Sequence, residues 1–275
     1  MSTDEDPVID ERPPRRARED ESHDESKSTR RRFTILGIPV GGILQEVVLV
    51  VVLALVISAV VRAFVGQVFI IPSGSMLDTI QIQDRVVAVK LDKVERGDII
   101  VFKDPGGWLG DTVEPRTGWK RGLEFIGLLP DTSANHLLKR VIGMPGDTVE
   151  CCDSQGRLSI NGQVMDESSY LKPGSDAASL PFKVVVPEGR IFVMGDNRNS
   201  SQDSRCHLNR MTNDGQPRGM IAFVPLDLVV GPASFRVAPL DRVGRLPRPA
   251  VFYGVPAPGK PPPATPVIEP AGVGC

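Results

Sequence analysis

A strongly apolar run, Val47–Val61, limits what this chain can fold into more than any other feature of its sequence. At fifteen residues, the run is shorter than the ~20 that a helix needs to cross ~30 Å of hydrocarbon. Extending it over Gly41–Glu46, or over Ala63–Val65 beyond a snorkelling Arg62, reaches a spanning length. We therefore predict a transmembrane anchor over residues 41–65.

Basic residues flank this span unevenly. Arg30, Arg31 and Arg32 precede it, whereas Arg62 alone follows it closely. Because loops rich in Lys and Arg stay in the cytoplasm, this asymmetry predicts a cytoplasmic N-terminus, with everything after the span outside. A cleaved export signal would lie nearer the N-terminus and end in small residues, which Ser58–Val60 matches poorly. We favour an uncleaved single-pass anchor in the cell membrane over that interpretation and over a buried core helix.

The segment before the span is too charged to fold. Residues 1–32 hold eight basic and ten acidic side chains, so they cannot bury enough apolar surface to offset the entropy of ordering. We predict a disordered cytoplasmic tail over residues 1–40. The whole chain has a net charge of −2 and a pI near 6.0, which gives no drive towards nucleic acid.

The rest of the chain carries the signals of a mostly β fold. Short apolar runs bounded by Gly, Pro or Asp are typical of strands. Such runs are Arg85–Val89, Ile99–Phe102, Leu138–Ile142, Val184–Val186 and Ile191–Met194. Leu158–Met165 is predicted to form a hairpin, because Asn161-Gly162 suits a two-residue type I′ turn.

A serine cluster, Ser73-Gly74-Ser75-Met76, lies shortly beyond the span. A serine hydroxyl is a poor nucleophile unless a base takes its proton. The three histidines are poorly placed to act as that base. His23 lies on the far side of the span, and His136 and His207 show no recognisable triad spacing.

Lysine is the other candidate base, provided that burial lowers its pKa by up to ~3 to 5 units. Lys139 lies within the apolar run Leu138–Ile142 and is the best candidate. An arbitrary strand lysine more often holds its ammonium in solvent. The neighbouring motifs favour the buried interpretation.

Those motifs form four ordered blocks. They are Ser73–Met76, Gly97–Phe102, Lys139–Asp147 and Gly195–Arg205. Their order and character resemble bacterial type I signal peptidase, the leader peptidase family of Ser/Lys proteases. The resemblance runs from about Phe69 to Phe235 and includes the preceding anchor.

Carried over position by position, the resemblance implies a role for each matching residue. Ser75 is the nucleophile and Lys139 the general base, while the Ser73 hydroxyl and the Ser75 N–H form the oxyanion hole. Ser201 orients the lysine through a hydrogen bond. The supporting ion pairs involve Arg140, Asp196, Asp203 and Arg205. Asn197 and Asn199 are interpreted as ordinary loop residues.

The resemblance also implies a substrate cleft and a domain plan. Phe69, Ile71, Ile80 and Leu138 match apolar positions that line the cleft, although Ile80 could equally be core. A catalytic β domain, sheet-like or barrel-like, spans 67–147 and 191–235, and a smaller β subdomain is inserted at 148–190. Ten prolines after Val237 predict an extended tail over 236–275.

The implied function is a membrane-bound serine endopeptidase, with its catalytic domain on the outer face, that removes N-terminal signal peptides from exported precursor proteins. It would cleave after small residues of the Ala-X-Ala type. Its partners are then exported precursors and the lipid bilayer. An alternative is a catalytically inactive, membrane-anchored β domain that binds exported peptides as a chaperone or adaptor. A self-cleaving Ser/Lys repressor would need a DNA-binding module, which the first 32 residues do not provide.

Other features leave alternatives open. Cys151, Cys152, Cys206 and Cys275 follow the span, where disulfides can persist, and Cys206 could pair with Cys151 or Cys152. Adjacent cysteines lack the usual zinc-ligand spacing, and we assign no metal or cofactor.

The loop 103–135 carries both tryptophans, Trp108 and Trp119. Indoles favour membrane interfaces, but internal packing is an equal alternative.

Overall fold

The computed structural model of the chain describes residues 34–35, 38–109, 135–175, 180–211 and 215–270. Most of the predicted disordered tail, most of the loop 103–135 and Cys275 therefore lie outside the described residues. The chain divides into two compact units, Met1–Val50 and Val51–Cys275. In the first unit, two short strands, β1 (Thr34–Ile35) and β2 (Ile38–Pro39), pair antiparallel.

Helix α1 runs from Val40 to Phe64, close to the predicted 41–65. Its 25 residues correspond to ~37 Å at ~1.5 Å per residue, enough to cross the hydrocarbon of a bilayer. The window Leu44–Val61 has a mean hydropathy of 2.7, and none of it is buried within the protein. The helix therefore has the length and composition of a membrane span.

The second unit is mostly β, as predicted. Its strands are β3 (Gly66–Ile70), β4 (Arg85–Val89), β5 (Ile99–Lys103), β6 (His136–Gly143), β7 (Thr148–Cys151), β8 (Leu158–Ile160), β9 (Gln163–Val164), β10 (Phe182–Val185), β11 (Arg190–Met194), β12 (Val224–Pro225), β13 (Val229–Ala238), β14 (Gly244–Arg245) and β15 (Val267–Glu269). A short helix, α2, covers Ser204–His207. The pairings among these strands are antiparallel.

The larger sheet has the order β12-β11-β6-β5-β13-β4-β3, with β14 added to β13. Its end strands, β12 and β3, do not pair with each other among the described strands, so the sheet is not a closed barrel. Strand β5 is apolar at every position from Ile99 to Phe102 because alternate residues enter two different cores. Ile99 and Val101 belong to one buried cluster, and Ile100 and Phe102 to another. Strand β6 pairs with β5 and so runs through the interior, with Lys139 opposite Ile100.

The smaller sheet has the order β15-β10-β7-β8-β9. Four of its strands come from the predicted insertion at 148–190, and the hairpin β8–β9 is the one predicted. Asn161 and Gly162 have φ values of 52° and 81°, the left-handed conformation that a type I′ turn requires.

The proline-rich segment corrects a prediction. Residues 236–275 were expected to form an extended tail, but β15 pairs with β10 as the edge strand of the smaller sheet. Phe252 is 4% exposed and Val255 is 9% exposed, both within the core of that sheet. A Cβ at Gly97 would lie 2.5 Å from the Phe252 ring, so glycine is needed where the ring packs. Proline composition indicates the absence of regular helix, but it does not show which sheet edge the segment covers.

This packing predicts that Phe252→Ala destabilises the second unit. Loss of a buried phenylalanine typically costs ~3 to 5 kcal/mol, because a cavity remains. The neighbouring Tyr253→Ala is the control, since Tyr253 is 70% exposed. Thermal unfolding of the full-length protein in detergent, followed by tryptophan fluorescence, should show a lower Tm for Phe252→Ala alone. Equal Tm values for the two variants would contradict the packing role of the tail.

Candidate active site

The serine cluster follows strand β3 and is tied down by backbone hydrogen bonds. The N–H of Ile71 donates to Asp84 O at 3.0 Å, and the N–H of Gln83 donates to Ile71 O at 2.8 Å. The N–H of Leu77 donates to Gly74 O at 3.3 Å and closes a tight turn. The cluster is thus held at both ends, which gives its side chains defined directions.

The structure brings together the two residues predicted to carry the chemistry. Lys139 Nζ lies 2.6 Å from Ser75 Oγ and donates a hydrogen bond to it. Lys139 is 3% exposed and Ser75 is 7% exposed. A lysine amine and a serine hydroxyl in direct contact, out of water, can exchange a proton without a solvent intermediary.

Burial lowers the pKa of Lys139 from 10.5 to about 8, because the ammonium loses its hydration. The Asp203 carboxylate opposes this change and raises the pKa, the Arg205 guanidinium lowers it, and Asp196 raises it. Desolvation is the largest of these effects. The amine is therefore substantially neutral in mildly alkaline solution, as a general base must be.

Two further serines of the predicted site lie near Ser75. Ser73 Oγ is 3.5 Å from Ser75 Oγ, at the limit of a hydrogen bond. Ser201 corrects a prediction, because its buried Oγ makes no hydrogen bond within the described residues, to Lys139 or to any other group. A Cβ on Gly195 would lie 2.3 Å from Ser201 Oγ and 2.5 Å from Ser75 O, so the Ser201 hydroxyl lies beside the Ser75 carbonyl. The motif indicates that this serine is near the site, but not where its hydroxyl points.

The four residues assigned to supporting ion pairs form two pairs in the structure. Arg140 donates two hydrogen bonds to Asp196, at 2.8 and 2.5 Å. Arg205 donates two to Asp203, both at 2.8 Å. Burial raises the pKa of Asp203, but the hydrogen bond and charge of Arg205 outweigh it and hold the pKa below its usual value. Removing one partner of such a buried pair typically costs ~3 to 5 kcal/mol, so these pairs hold the surrounding loops in place.

Three residues of the site were not identified from the sequence. Thr79 Oγ1 donates to Asp196 Oδ2 at 2.6 Å, which ties the segment after the nucleophile to an ion pair. Asn197, interpreted as a loop residue, donates from Nδ2 to Gly74 O at 2.9 Å. The sequence signal that could have identified Asn197 was its position inside the motif block Gly195–Arg205. Gly195 is required by its close approach to Ser75 O, and that contact joins positions far apart in the chain.

A cavity of about 270 Å³ opens beside the two catalytic candidates. Its lining residues are Phe69, Ile70, Ile71, Pro72, Ser73, Ser75, Met76, Val101, Leu109, His136, Leu137, Leu138 and Lys139. Three of the four predicted cleft residues are therefore present. Ile80 is the exception, since it is 0% exposed and packs in the core of the larger sheet. The alternation of apolar residues does not distinguish a cavity wall from the core behind it.

The two histidines have separate environments. His136 lines the cavity, and its ring centroid lies 5.0 Å from that of Phe69. His207 is 3% exposed and stacks on Trp108 at 4.4 Å. Burial lowers the pKa of His207 to about 4, and the charge of Arg210 acts in the same direction. His207 is therefore neutral at physiological pH and serves as a packing residue.

The tryptophan prediction is resolved for one of the two residues. Trp108 is 4% exposed, and its Nε1–H donates to Ile221 O at 3.0 Å. Internal packing is thus the correct interpretation for Trp108, and contact with a membrane interface is wrong. Trp119 lies outside the described residues.

The cysteines give a pairing that was not anticipated. Cys151 and Cys152 are joined to each other by a disulfide, so neither is available for the bridge to Cys206 that the sequence left open. Within the described part of the chain, no cluster of His, Cys, Asp and Glu side chains could hold a metal ion.

Comparisons with known proteins identify the family. The family described as "Signal peptidase, peptidase S26" matches residues 44–238. Signal peptidase I of Mycobacterium tuberculosis is 33% identical over 252 residues, which cover 83% of this chain and 79% of that protein. Signal peptidase I of Leptolyngbya laminosa is 33% identical over 208 residues, 74% of this chain and 84% of that protein. Signal peptidase I S of Bacillus subtilis is 34% identical over 175 residues, 59% of this chain and 78% of that protein.

These similarities, with the β fold and the buried serine, define a serine peptidase, a hydrolase. The chain belongs to the signal peptidase family S26.

Proposed function

We propose that this protein is a membrane-anchored endopeptidase that removes signal peptides from exported precursors, with Ser75 as nucleophile and Lys139 as general base. The observation that carries the proposal is the 2.6 Å contact between Lys139 Nζ and Ser75 Oγ inside a buried site. The relatives named signal peptidase I support the substrate class.

In the proposed reaction, neutral Lys139 takes the Ser75 proton as Oγ attacks the scissile carbonyl carbon. The new oxyanion accepts hydrogen bonds from the Ser75 N–H and the Ser73 hydroxyl, which stabilise it. The Lys139 ammonium then gives its proton to the departing amine, the C–N bond breaks, and an acyl-enzyme ester remains. Water, deprotonated by the same amine, hydrolyses this ester and restores Ser75.

The cavity supports cleavage after small residues. In an extended peptide, side chains two positions apart point to the same side and are ~6.6 to 7 Å apart. Side chains at positions −1 and −3 would therefore share a cavity of about 270 Å³ with the Ser75 hydroxyl. Phe69, Ile71 and Leu138 line this cavity with apolar surface, which suits small apolar side chains such as that of alanine.

An inactive peptide-binding adaptor is the competing function, and a cleavage assay separates the two. Full-length protein in detergent should cut a precursor peptide after an Ala-X-Ala sequence. Ser75→Ala and Lys139→Ala should each abolish cleavage while the fold is retained, and the double variant should be no worse, since the two groups act as one unit. Peptide binding without cleavage by the wild type would support the adaptor instead.

We predict that kcat/KM rises with pH through one ionisation near the Lys139 pKa of about 8. Below that pH the ammonium form cannot accept a proton, so the rate falls about tenfold per pH unit, and above it the rate reaches a plateau. Ser201→Ala should leave the midpoint unmoved, because no Ser201–Lys139 hydrogen bond contributes to this pKa in the structure. A midpoint near ~6.5 that disappears in His136→Ala would identify histidine as the base instead.

We also propose that the N-terminus is cytoplasmic and the second unit lies outside the cell membrane. Arg30, Arg31 and Arg32 before helix α1 support this orientation. Protease added to intact spheroplasts should digest a tag at the C-terminus and spare a tag at residue 1. The reverse pattern would contradict the proposed topology.

A further inference from the structure

Asn197 contacts the turn that carries the nucleophile with both its side chain and its backbone. Its Nδ2 donates to Gly74 O at 2.9 Å, and its backbone N–H donates to Ser75 O at 3.0 Å. The residue is 4% exposed, so water does not readily replace these bonds. Because a carbonyl oxygen only accepts, the amide nitrogen of Asn197 must face Gly74, and the orientation of the side chain is defined.

The bond to Gly74 O also determines where the Ser75 N–H points. The two groups belong to the same peptide, which is trans. A trans peptide is planar, with its N–H and C=O directed to opposite sides. A group that holds the carbonyl on one side therefore directs the N–H to the other side.

We propose that Asn197 is a positioning residue that aims the Ser75 N–H at the oxyanion by holding Gly74 O behind it. This inference rests on the proposed function, in which that N–H is an oxyanion-hole donor. Asn197 touches neither the substrate nor the reacting atoms. It acts through the peptide plane alone.

Neighbouring contacts support this role, and one of them limits the effect that loss of Asn197 would have. The second bond, to Ser75 O, holds the peptide that follows Ser75, so one residue restrains the peptides on both sides of the nucleophile. Gly195 lets the segment that carries Asn197 approach the Ser75 carbonyl, because a Cβ at position 195 would lie 2.5 Å from Ser75 O. The Leu77 N–H also donates to Gly74 O, at the longer distance of 3.3 Å. Loss of Asn197 would therefore loosen the peptide without freeing it.

The expected effect follows from the geometry of hydrogen bonds. Their strength falls steeply as the donor angle departs from linearity, so a rotated Ser75 peptide is a poorer oxyanion donor. Complete loss of one such donor lowers kcat by roughly 10² to 10³. Because Leu77 still holds Gly74 O in part, we expect a loss of roughly 10- to 100-fold.

The test uses the full-length enzyme in detergent, a peptide with an Ala-X-Ala sequence and two variants. Asn197→Ala removes the donor, and Asn197→Asp keeps the shape but places an acceptor against Gly74 O. The matched control is Asn199→Ala, since Asn199 is exposed and donates to Gly174 O at 3.3 Å. Rates are divided by the folded fraction, measured by tryptophan fluorescence, so that lost stability is not counted as lost catalysis.

We expect kcat to fall in both Asn197 variants while KM and the midpoint of the pH profile stay at their wild-type values. A peptide aldehyde, whose hemiacetal oxygen occupies the oxyanion hole, should lose affinity by the same factor as kcat/KM. A purely structural role would lower the folded fraction, but it would not produce matching losses of aldehyde affinity and of kcat/KM. Asn199→Ala should resemble the wild type.

The inference is overturned if both variants keep wild-type kcat, if the loss is confined to KM, or if aldehyde affinity is unchanged while kcat falls. It is also overturned if the pH midpoint moves with the rate, since that would place the effect on Lys139. A wild type that cleaves no such peptide refutes the proposed function, and this inference with it. An active wild type with unimpaired Asn197 variants refutes the inference alone.

Discussion

The candidate active site depends on keeping one amine out of water without pairing it to a carboxylate. A buried ammonium is costly, and a carboxylate in contact would remove that cost by keeping the amine charged. Lys139 is 3% exposed and donates to the Ser75 hydroxyl, a neutral partner. Desolvation therefore outweighs the nearby charges and lowers the pKa of the amine to about 8.

The carboxylates near Lys139 are arranged so that they do not keep its amine charged. Asp203 raises the pKa of Lys139, but Arg205 binds that carboxylate and lowers the same pKa. Arg140 binds Asp196 in the same way. These carboxylates are thus committed to guanidinium groups, and their ion pairs order the loops around the dyad while leaving the lysine able to lose its proton. Arginine fits this role because its planar fork holds both carboxylate oxygens at once.

The fold provides the interior position that the lysine needs. Strand β6 lies in the middle of the larger sheet, between β5 and β11, with hydrophobic clusters on both faces. The smaller sheet and the C-terminal segment form a neighbouring core, and Ile142 of strand β6 and Phe252 of the C-terminal segment both pack in it. Chain segments far apart in sequence therefore contribute to the same dry environment.

Much of this arrangement could be predicted from local patterns. The apolar helix, the strands β4, β5, β6 and β11, and the turn at Asn161-Gly162 follow from hydrophobic runs and turn residues. The motif resemblance named Ser75 and Lys139, which the structure brings into contact. The predictions of the helix, the strands and the turn succeed because hydrophobic periodicity and turn conformations depend on neighbours along the chain.

Other features were decided by tertiary structure alone. The pairing of β15 with β10, the burial of Ile80 behind the cavity, and the direction of the Ser201 hydroxyl depend on contacts between distant segments. The same holds for Asn197, whose amide meets Gly74 across 123 residues of sequence. The sequence alone thus determined the apolar helix and the main strands, and it supplied the chemical groups of the candidate site. Only the tertiary structure decided which groups touch, because hydrogen bonds and packing require positions to be correct within a fraction of an ångström.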